Sequence, residues 1–165
     1  MYERILAALD GSRCSWLVLD EAIRIARTSG GLIAALCVVS DAPRLTDIDS
    51  GYVDQRDWKG LEADKASTVL ADAETAFRMS GVRGTAQTID SCGEDVSSVL
   101  ARAAAECEAD LIVMGTHGRH GIRRALLGSV AESLLRTADR PVLLVRDGPS
   151  ARAAGLNRLL KSASF

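Results

Sequence analysis

The fold is decided by residues 114–138, MGTHGRHGIRRALLGSVAESLLRTA. The apolar run just before this stretch predicts a buried strand, and the apolar pattern at its end predicts a helix from Ser129. Glycines at Gly115 and Gly118 permit positive φ and let the backbone approach a ligand with no Cβ in the way. Gly128 and Ser129 would begin a helix whose free N–H groups favour an anion such as phosphate. The stretch therefore predicts a strand, a phosphate-binding loop and a helix.

The glycine spacing, Gly-x2-Gly-x9-Gly-Ser, differs from the two common phosphate loops. A Walker loop needs a lysine beside its Ser or Thr, and the Rossmann fingerprint places three glycines within six residues. The loop carries its basic residues internally, at Arg119, Arg123, Arg124, His117 and His120. A structural interpretation stays open, because glycines after a strand often form only a turn and Gly-Ser is often only a helix cap.

Together with the opening YERILAALDGS and the closing RPVLLVR, this spacing resembles the universal stress protein family. Nucleotide-binding members of that family carry such a loop after the fourth strand. The resemblance covers residues 1–146 and implies one nucleotide-binding domain there. Residues 147–165 are predicted to be a C-terminal tail, whose weak amphipathic pattern fits either docking on a partner or a flexible, frayed terminus.

Composition limits the classes of protein and partner. A chain of 165 residues, 47% hydrophobic and 25% charged, has material for one globular core. A net charge of −2 supplies no overall field for nucleic acid or an anionic membrane. No apolar run approaches the roughly twenty residues of a membrane span, and the N-terminus lacks a secretory signal pattern. We expect a cytoplasmic protein with neither nucleic-acid nor membrane partners.

The four cysteines show no CxxC pair and no histidine at metal-ligand spacing. Cys14, Cys37 and Cys107 lie in apolar periodic runs and are expected to be reduced core residues. Cys92 is expected in a loop. The sequence therefore predicts no metal site built from protein side chains.

Strand and helix patterns alternate along the chain. Apolar runs predict strands at 5–9, 32–39, 111–114 and 142–145, and helices are expected to begin near Ser15, Leu61, Glu94 and Ser129. Polar and small apolar residues alternate at 82–89, which predicts a less buried edge strand. The first helix should bury Trp16, Leu19, Ile23 and Ala26. A long polar connection is expected at 40–60, where Tyr52 and Trp58 could form a lid over a base or simply pack on a neighbouring helix.

These patterns predict an α/β fold with a parallel sheet covered by helices on both faces. The resemblance implies a single doubly wound, five-stranded sheet in the order 3-2-1-4-5. The first and fourth strands would then be neighbours where the winding reverses, which is where such sheets bind ligands. Asp10 and Gly115 would face each other across that crevice.

The resemblance implies an adenine nucleotide as the ligand, and we expect ATP with Mg²⁺, although the sequence does not choose between ATP and other adenine nucleotides. Backbone N–H groups of the glycine loop and the last helix would hold the phosphates, and Ser129 could add a hydroxyl or help to hold the ion. Asp10 would lie near the nucleoside, unless it only forms a turn into the first helix. Val38 would meet the adenine through its main chain, and Ala8 stands where some nucleotide-binding members have proline. The predicted binding residues are Ala8, Asp10, Val38, Met114, Gly115, His117, Gly118, Gly128, Ser129, Val130 and Ala131.

Function remains open among three interpretations. A regulatory, stress-response protein that binds ATP is favoured by the glycines and Ser129. A slow ATP-hydrolysing enzyme would need a positioned carboxylate and a metal clamp, and only Asp10 is placed near the crevice. The third interpretation is a dimeric interaction module with an empty pocket. The resemblance implies a homodimer formed through the apolar last strand, Val142–Val145, since an unprotected edge invites pairing.

Overall fold

The computed structural model describes residues 1–40, 55–116 and 127–147. Strands and helices alternate through these residues, because short apolar runs separate longer amphipathic segments. The elements are β1 (Arg4–Leu9), α1 (Arg13–Ser29), β2 (Leu32–Val39), α2 (Gln55–Ser80), β3 (Arg83–Asp90), α3 (Val96–Glu106), β4 (Leu111–Gly115), α4 (Ser129–Thr137) and β5 (Val142–Val145). The proposed division after residue 146 stays a prediction, since residues 148–165 lie outside the described part.

The five strands form one parallel sheet in the order β3-β2-β1-β4-β5, as predicted. Apolar residues on one face pack against α1 and α2, and those on the other face pack against α3 and α4. Strands β1 and β4 are therefore buried on both sides, which explains their continuous apolar sequences. Strand β3 lies at an edge and is mostly exposed, as its polar alternation predicted.

Helix α2 begins earlier than predicted, at Gln55 instead of Leu61. Gly60, the predicted end of the preceding connection, lies inside the helix, where a glycine costs only about 1 kcal/mol relative to alanine. Trp58 therefore belongs to α2 and not to a connecting loop. Tyr52 lies outside the described residues, so its proposed role as part of a lid stays untested.

The buried face of α1 also differs from the prediction. Trp16 is 50% exposed, and Ile23 is only partly buried. The buried residues are Cys14, Ser15, Val18, Leu19, Ala22 and Ala26. The predicted stripe shared Leu19 and Ala26 with the real one but was rotated slightly around the helix, since several helical spacings fit such an apolar segment.

Candidate functional site

The carboxyl ends of β1 and β4 meet where the winding of the sheet reverses. The two strands pair in parallel, with Ile5 opposite Leu111 and Ala7 opposite Val113. The residues that follow them, Asp10 and Thr116, therefore emerge at the same edge of the sheet. This is the crevice in which doubly wound sheets bind their ligands.

Asp10 organises the turn between β1 and α1. Its Oδ1 accepts the N–H of Ser12 at 2.9 Å and the hydroxyl of Ser15 at 2.7 Å. In return, the Ser15 hydroxyl accepts the N–H groups of Asp10 and Gly11 at 2.9 and 3.1 Å. The structural interpretation of Asp10, a turn into the helix, is thus realised in the molecule. Its contact with a nucleoside stays a prediction.

Two features of this turn favour glycine at Gly11, and the sequence pattern identified neither of them. Its φ of +75° lies in the left-handed region that glycine favours. A Cβ at this position would also come within 3.2 Å of Val69 Cγ2 on α2. The turn after β1 is therefore fixed by backbone conformation as well as by the Asp10 and Ser15 hydrogen bonds.

Gly115 is the last residue of β4, where it pairs with Val145 of β5. It is absent from the positive-φ glycines of the described residues, so the left-handed conformation that glycine permits is not used at Gly115. The chain leaves the sheet at Thr116, whose N–H donates to the Val145 carbonyl at 2.9 Å. Thr116 in turn accepts the N–H of Gly128 at 2.8 Å, which brings the start of α4 to the end of β4. The sequence pattern gave no signal for this role of Thr116.

Gly128 is the N-cap of α4, with φ of −63° and ψ of 147°, and it has no side chain that could cap the helix. Ser129, Val130 and Ala131 follow as the first helical residues, as predicted. The orphan N–H groups of a first helical turn need a partner such as a side-chain oxygen, water or an anion. The geometry suits a phosphate group at the start of α4.

The other predicted positions divide into two groups. Ala8, Val38 and Met114 place their side chains in the apolar layer beneath α3 and α4, with Met114 6% exposed. Val38 is only partly buried, and its expected main-chain contact with a base stays a prediction. His117 and Gly118 lie outside the described residues, and so do the basic residues between them and Gly128.

Cys14 lies in the first turn of α1, close to the ends of β4 and β5. Its thiol donates to the Val145 carbonyl at 3.3 Å. Burial raises the pKa of this thiol, and the nearby carboxylates of Asp10 and Asp147 raise it further. Cys14 is therefore a neutral, buried residue, as predicted, and Cys37 is also buried. Cys107 is only partly buried, because it follows the last helical residue of α3.

No group of three or more His, Cys, Asp or Glu side chains within residues 1–40, 55–116 and 127–147 is arranged to hold a metal ion. Among the helices of these same ranges, none combines the length and apolar character that crossing a membrane requires.

Comparison with known proteins agrees with the topology. The sequence model of the universal stress protein family matches residues 1–146. Universal stress protein YxiE of Bacillus subtilis is 30% identical over 149 residues, which cover 88% of this chain and all (100%) of that protein.

Solved structures show the same likeness. A universal stress protein family structure from Burkholderia pseudomallei is 35% identical, with a TM-score of 0.69 and coverage of 87% of this chain and 96% of that chain. A universal stress protein from Archaeoglobus fulgidus, solved in complex with dAMP, is 23% identical with a TM-score of 0.62, and it shares the fold over 87% of this chain and 97% of its own. The chain therefore belongs to the universal stress protein family.

Proposed function

We propose that this protein binds an adenine nucleotide, ATP with Mg²⁺, between the ends of β1 and β4, and acts as a regulatory stress-response module. The observation that carries the proposal is the start of α4. Gly128 supplies no capping side chain, so the positive end of the helix offers its N–H groups to an external partner. The dAMP complex of the Archaeoglobus protein supports an adenine nucleotide as the ligand class.

The proposed nucleotide would lie across the crevice with its phosphates at α4. Ser129, Val130 and Ala131 would donate their N–H groups, and the exposed Ser129 hydroxyl would contact phosphate or Mg²⁺. Gly115, His117 and Gly118 would line the approach. The nucleoside would lie toward Asp10, Ala8, Met114 and the main chain of Val38. Because Ser12 and Ser15 hold one oxygen of Asp10, this carboxylate would meet the ligand already oriented.

We favour binding over catalysis because no observation within the described residues gives separate support to hydrolysis. Asp10, the carboxylate that follows β1, already accepts two hydrogen bonds at Oδ1 within its own turn. A cytoplasmic location would be consistent with a regulatory role, and it stays a prediction.

The proposal includes a homodimer formed through β5. This strand lies at the edge of the sheet, and its four residues, Val142–Val145, are all partly buried and apolar. An apolar edge strand offers unpaired backbone groups to a second chain. Sedimentation at micromolar concentration should give a dimer, and Leu144→Lys should give a monomer; a monomeric natural protein would exclude this assembly.

The binding proposal is tested by releasing small molecules from gently purified protein for mass spectrometry and then titrating with ATP and Mg²⁺. Gly128→Val should abolish binding, because the extended backbone at Gly128 accepts a side chain without strain while the added methyl groups block the helix start. Thr137→Val, an exposed change in the last turn of the same helix, is the control and should bind normally. A folded Gly128→Val protein with natural affinity would show that phosphate does not bind at α4. If the natural protein bound no nucleotide, the empty interaction module would be the better description.

A further inference from the structure

Ser91 has a buried hydroxyl that forms no hydrogen bond with any described residue. It is 1% exposed, and its Oγ has no partner within residues 1–40, 55–116 and 127–147. The other buried serines behave differently: Ser97, 2% exposed, bonds with Asp95 and Ser133, and Ser15 bonds with Asp10. A buried polar atom without a partner is costly, so such an atom calls for a functional explanation.

The position of Ser91 links it to the candidate site. It directly follows β3, and its N–H donates to the carbonyl of Val39 at 2.9 Å, one residue beyond Val38. Its own carbonyl accepts the N–H of Glu94 at 2.8 Å. The backbone of Ser91 is therefore held against the end of β2. Its hydroxyl can still change position by rotation about the Cα–Cβ bond.

A second orphan hydroxyl lies at the same edge of the sheet. Ser12 Oγ, just past β1, is the other buried side-chain oxygen without a partner among the described residues. Ser12 is the N-cap of α1, yet its side chain does not cap the helix. The unsatisfied hydroxyls therefore flank the end of β2 on both sides, at the edge where ligands bind in parallel sheets.

We propose that Ser91 is a base-contact residue, whose hydroxyl turns toward the carboxyl edge of the sheet and hydrogen-bonds the polar edge of the adenine. This inference rests on the proposed nucleotide site and extends its base subsite from β2 to β3. A hydroxyl both donates and accepts, so it suits a purine edge that carries an amino donor and ring-nitrogen acceptors. Because this hydroxyl is shielded from bulk solvent, its bond to the base would form with little competition from water.

The test compares Ser91→Ala with Ser97→Ala, since both remove one hydroxyl from an equally buried serine. Titration with ATP should show about fivefold weaker binding for Ser91→Ala, the factor expected from one neutral hydrogen bond. Inorganic tripolyphosphate, which has no base, should bind the variant and the natural protein equally. Without ligand, Ser91→Ala should melt at or above the natural temperature, whereas Ser97→Ala should melt about 2–4 °C lower and keep its affinity for ATP.

Several results would overturn the proposal. Natural ATP affinity in Ser91→Ala would remove the base contact while leaving the nucleotide site itself intact. Equal weakening toward ATP and tripolyphosphate would show an indirect effect on the pocket. A melting temperature lowered as much as in Ser97→Ala would mean that a structural partner, such as a buried water, already satisfies the hydroxyl. A natural protein that binds no ATP would end this inference together with the proposed function.

Discussion

Helices α3 and α4 pack against the same face of the sheet, yet their N-termini are capped differently. At the start of α3, Asp95 accepts the N–H of Ser97 at 3.0 Å. Beyond its last turn, the Arg140 guanidinium donates to the carbonyls of Ala104 and Ala109 at 2.7 and 2.9 Å. Helix α4 instead begins at Gly128, which has no side chain to offer. The contrast teaches that side chains among the described residues cap both ends of α3, whereas the N-cap position of α4 supplies no side-chain cap.

Closing the start of α4 with a charged cap should produce the largest effect. We expect Gly128→Asp to weaken ATP binding about a hundredfold or more, because the carboxylate would bond the first-turn N–H groups and repel phosphate. Calorimetric titration measures this loss. Gly128→Asn supplies a neutral cap of similar size and should lose less affinity, which separates charge from size. Undiminished binding by Gly128→Asp would contradict the comparison.

Removing the side chain that caps the C-terminal end of α3 should produce the next largest effect. We expect Arg140→Met to lower the free energy of unfolding by about 2 kcal/mol, because two carbonyls lose a charged donor while the aliphatic stem is largely kept. Chemical denaturation measures the change. Asp139→Asn removes only the exposed ion-pair partner of Arg140 and should change stability little. Equal stability of Arg140→Met and the natural protein would show that these carbonyls need no capping.

Removing the N-cap side chain of α3 should lower the free energy of unfolding less than the Arg140 substitution does. Asp95→Ala is expected to lower the free energy of unfolding by about 1 kcal/mol, the usual effect of deleting an N-cap side chain. Denaturant titration provides the measurement, and ATP affinity should stay unchanged. Asp95→Asn retains an acceptor oxygen and should recover most of the stability. An Asp95→Ala protein that lost ATP binding instead of stability would reverse the roles assigned to the two helices.

The smallest expected effect comes from giving α4 a neutral cap of the ordinary kind. Gly128→Ser should raise the stability of the free protein by only a few tenths of a kcal/mol, since glycine is itself a tolerable N-cap. The same variant should bind ATP more weakly, because the hydroxyl competes for the first-turn N–H groups. A melting curve and an ATP titration on the same sample would show the rise in stability and the loss of affinity. Tighter ATP binding by Gly128→Ser would contradict this prediction.

Much of this architecture could be predicted from apolar patterning. Strands buried on both faces leave continuous apolar sequences, so the central strands were recognisable, and polar alternation identified β3 as an edge strand. The start of α4 at Ser129 was also predicted, because glycine followed by serine before an amphipathic segment is a strong local signal. The strand order came from the family resemblance and is confirmed by the structure.

Other features depend on contacts that no local pattern encodes. The start of α2 was missed because Gly60 resembles a helix stop, although neighbouring residues continue the helix through it. The exposed side of Trp16 depends on how α1 is rotated against the sheet, which spacing alone leaves undetermined. The bridging role of Thr116 and the unpartnered hydroxyl of Ser91 appear only once distant segments are brought together.

The hydrogen bond from the Gly128 N–H to the Thr116 carbonyl also affects the conformational entropy of the chain. It fixes the two ends of the intervening eleven-residue segment at one point on the sheet. The entropy lost on closing such a segment grows only with the logarithm of its length, so doubling the length costs about 0.6 kcal/mol. On this relation, lengthening the chain between Thr116 and Gly128 should cost the sheet and α4 little stability. A new ligand preference could then evolve in this stretch of sequence while the hydrogen bond that joins its two ends stays in place.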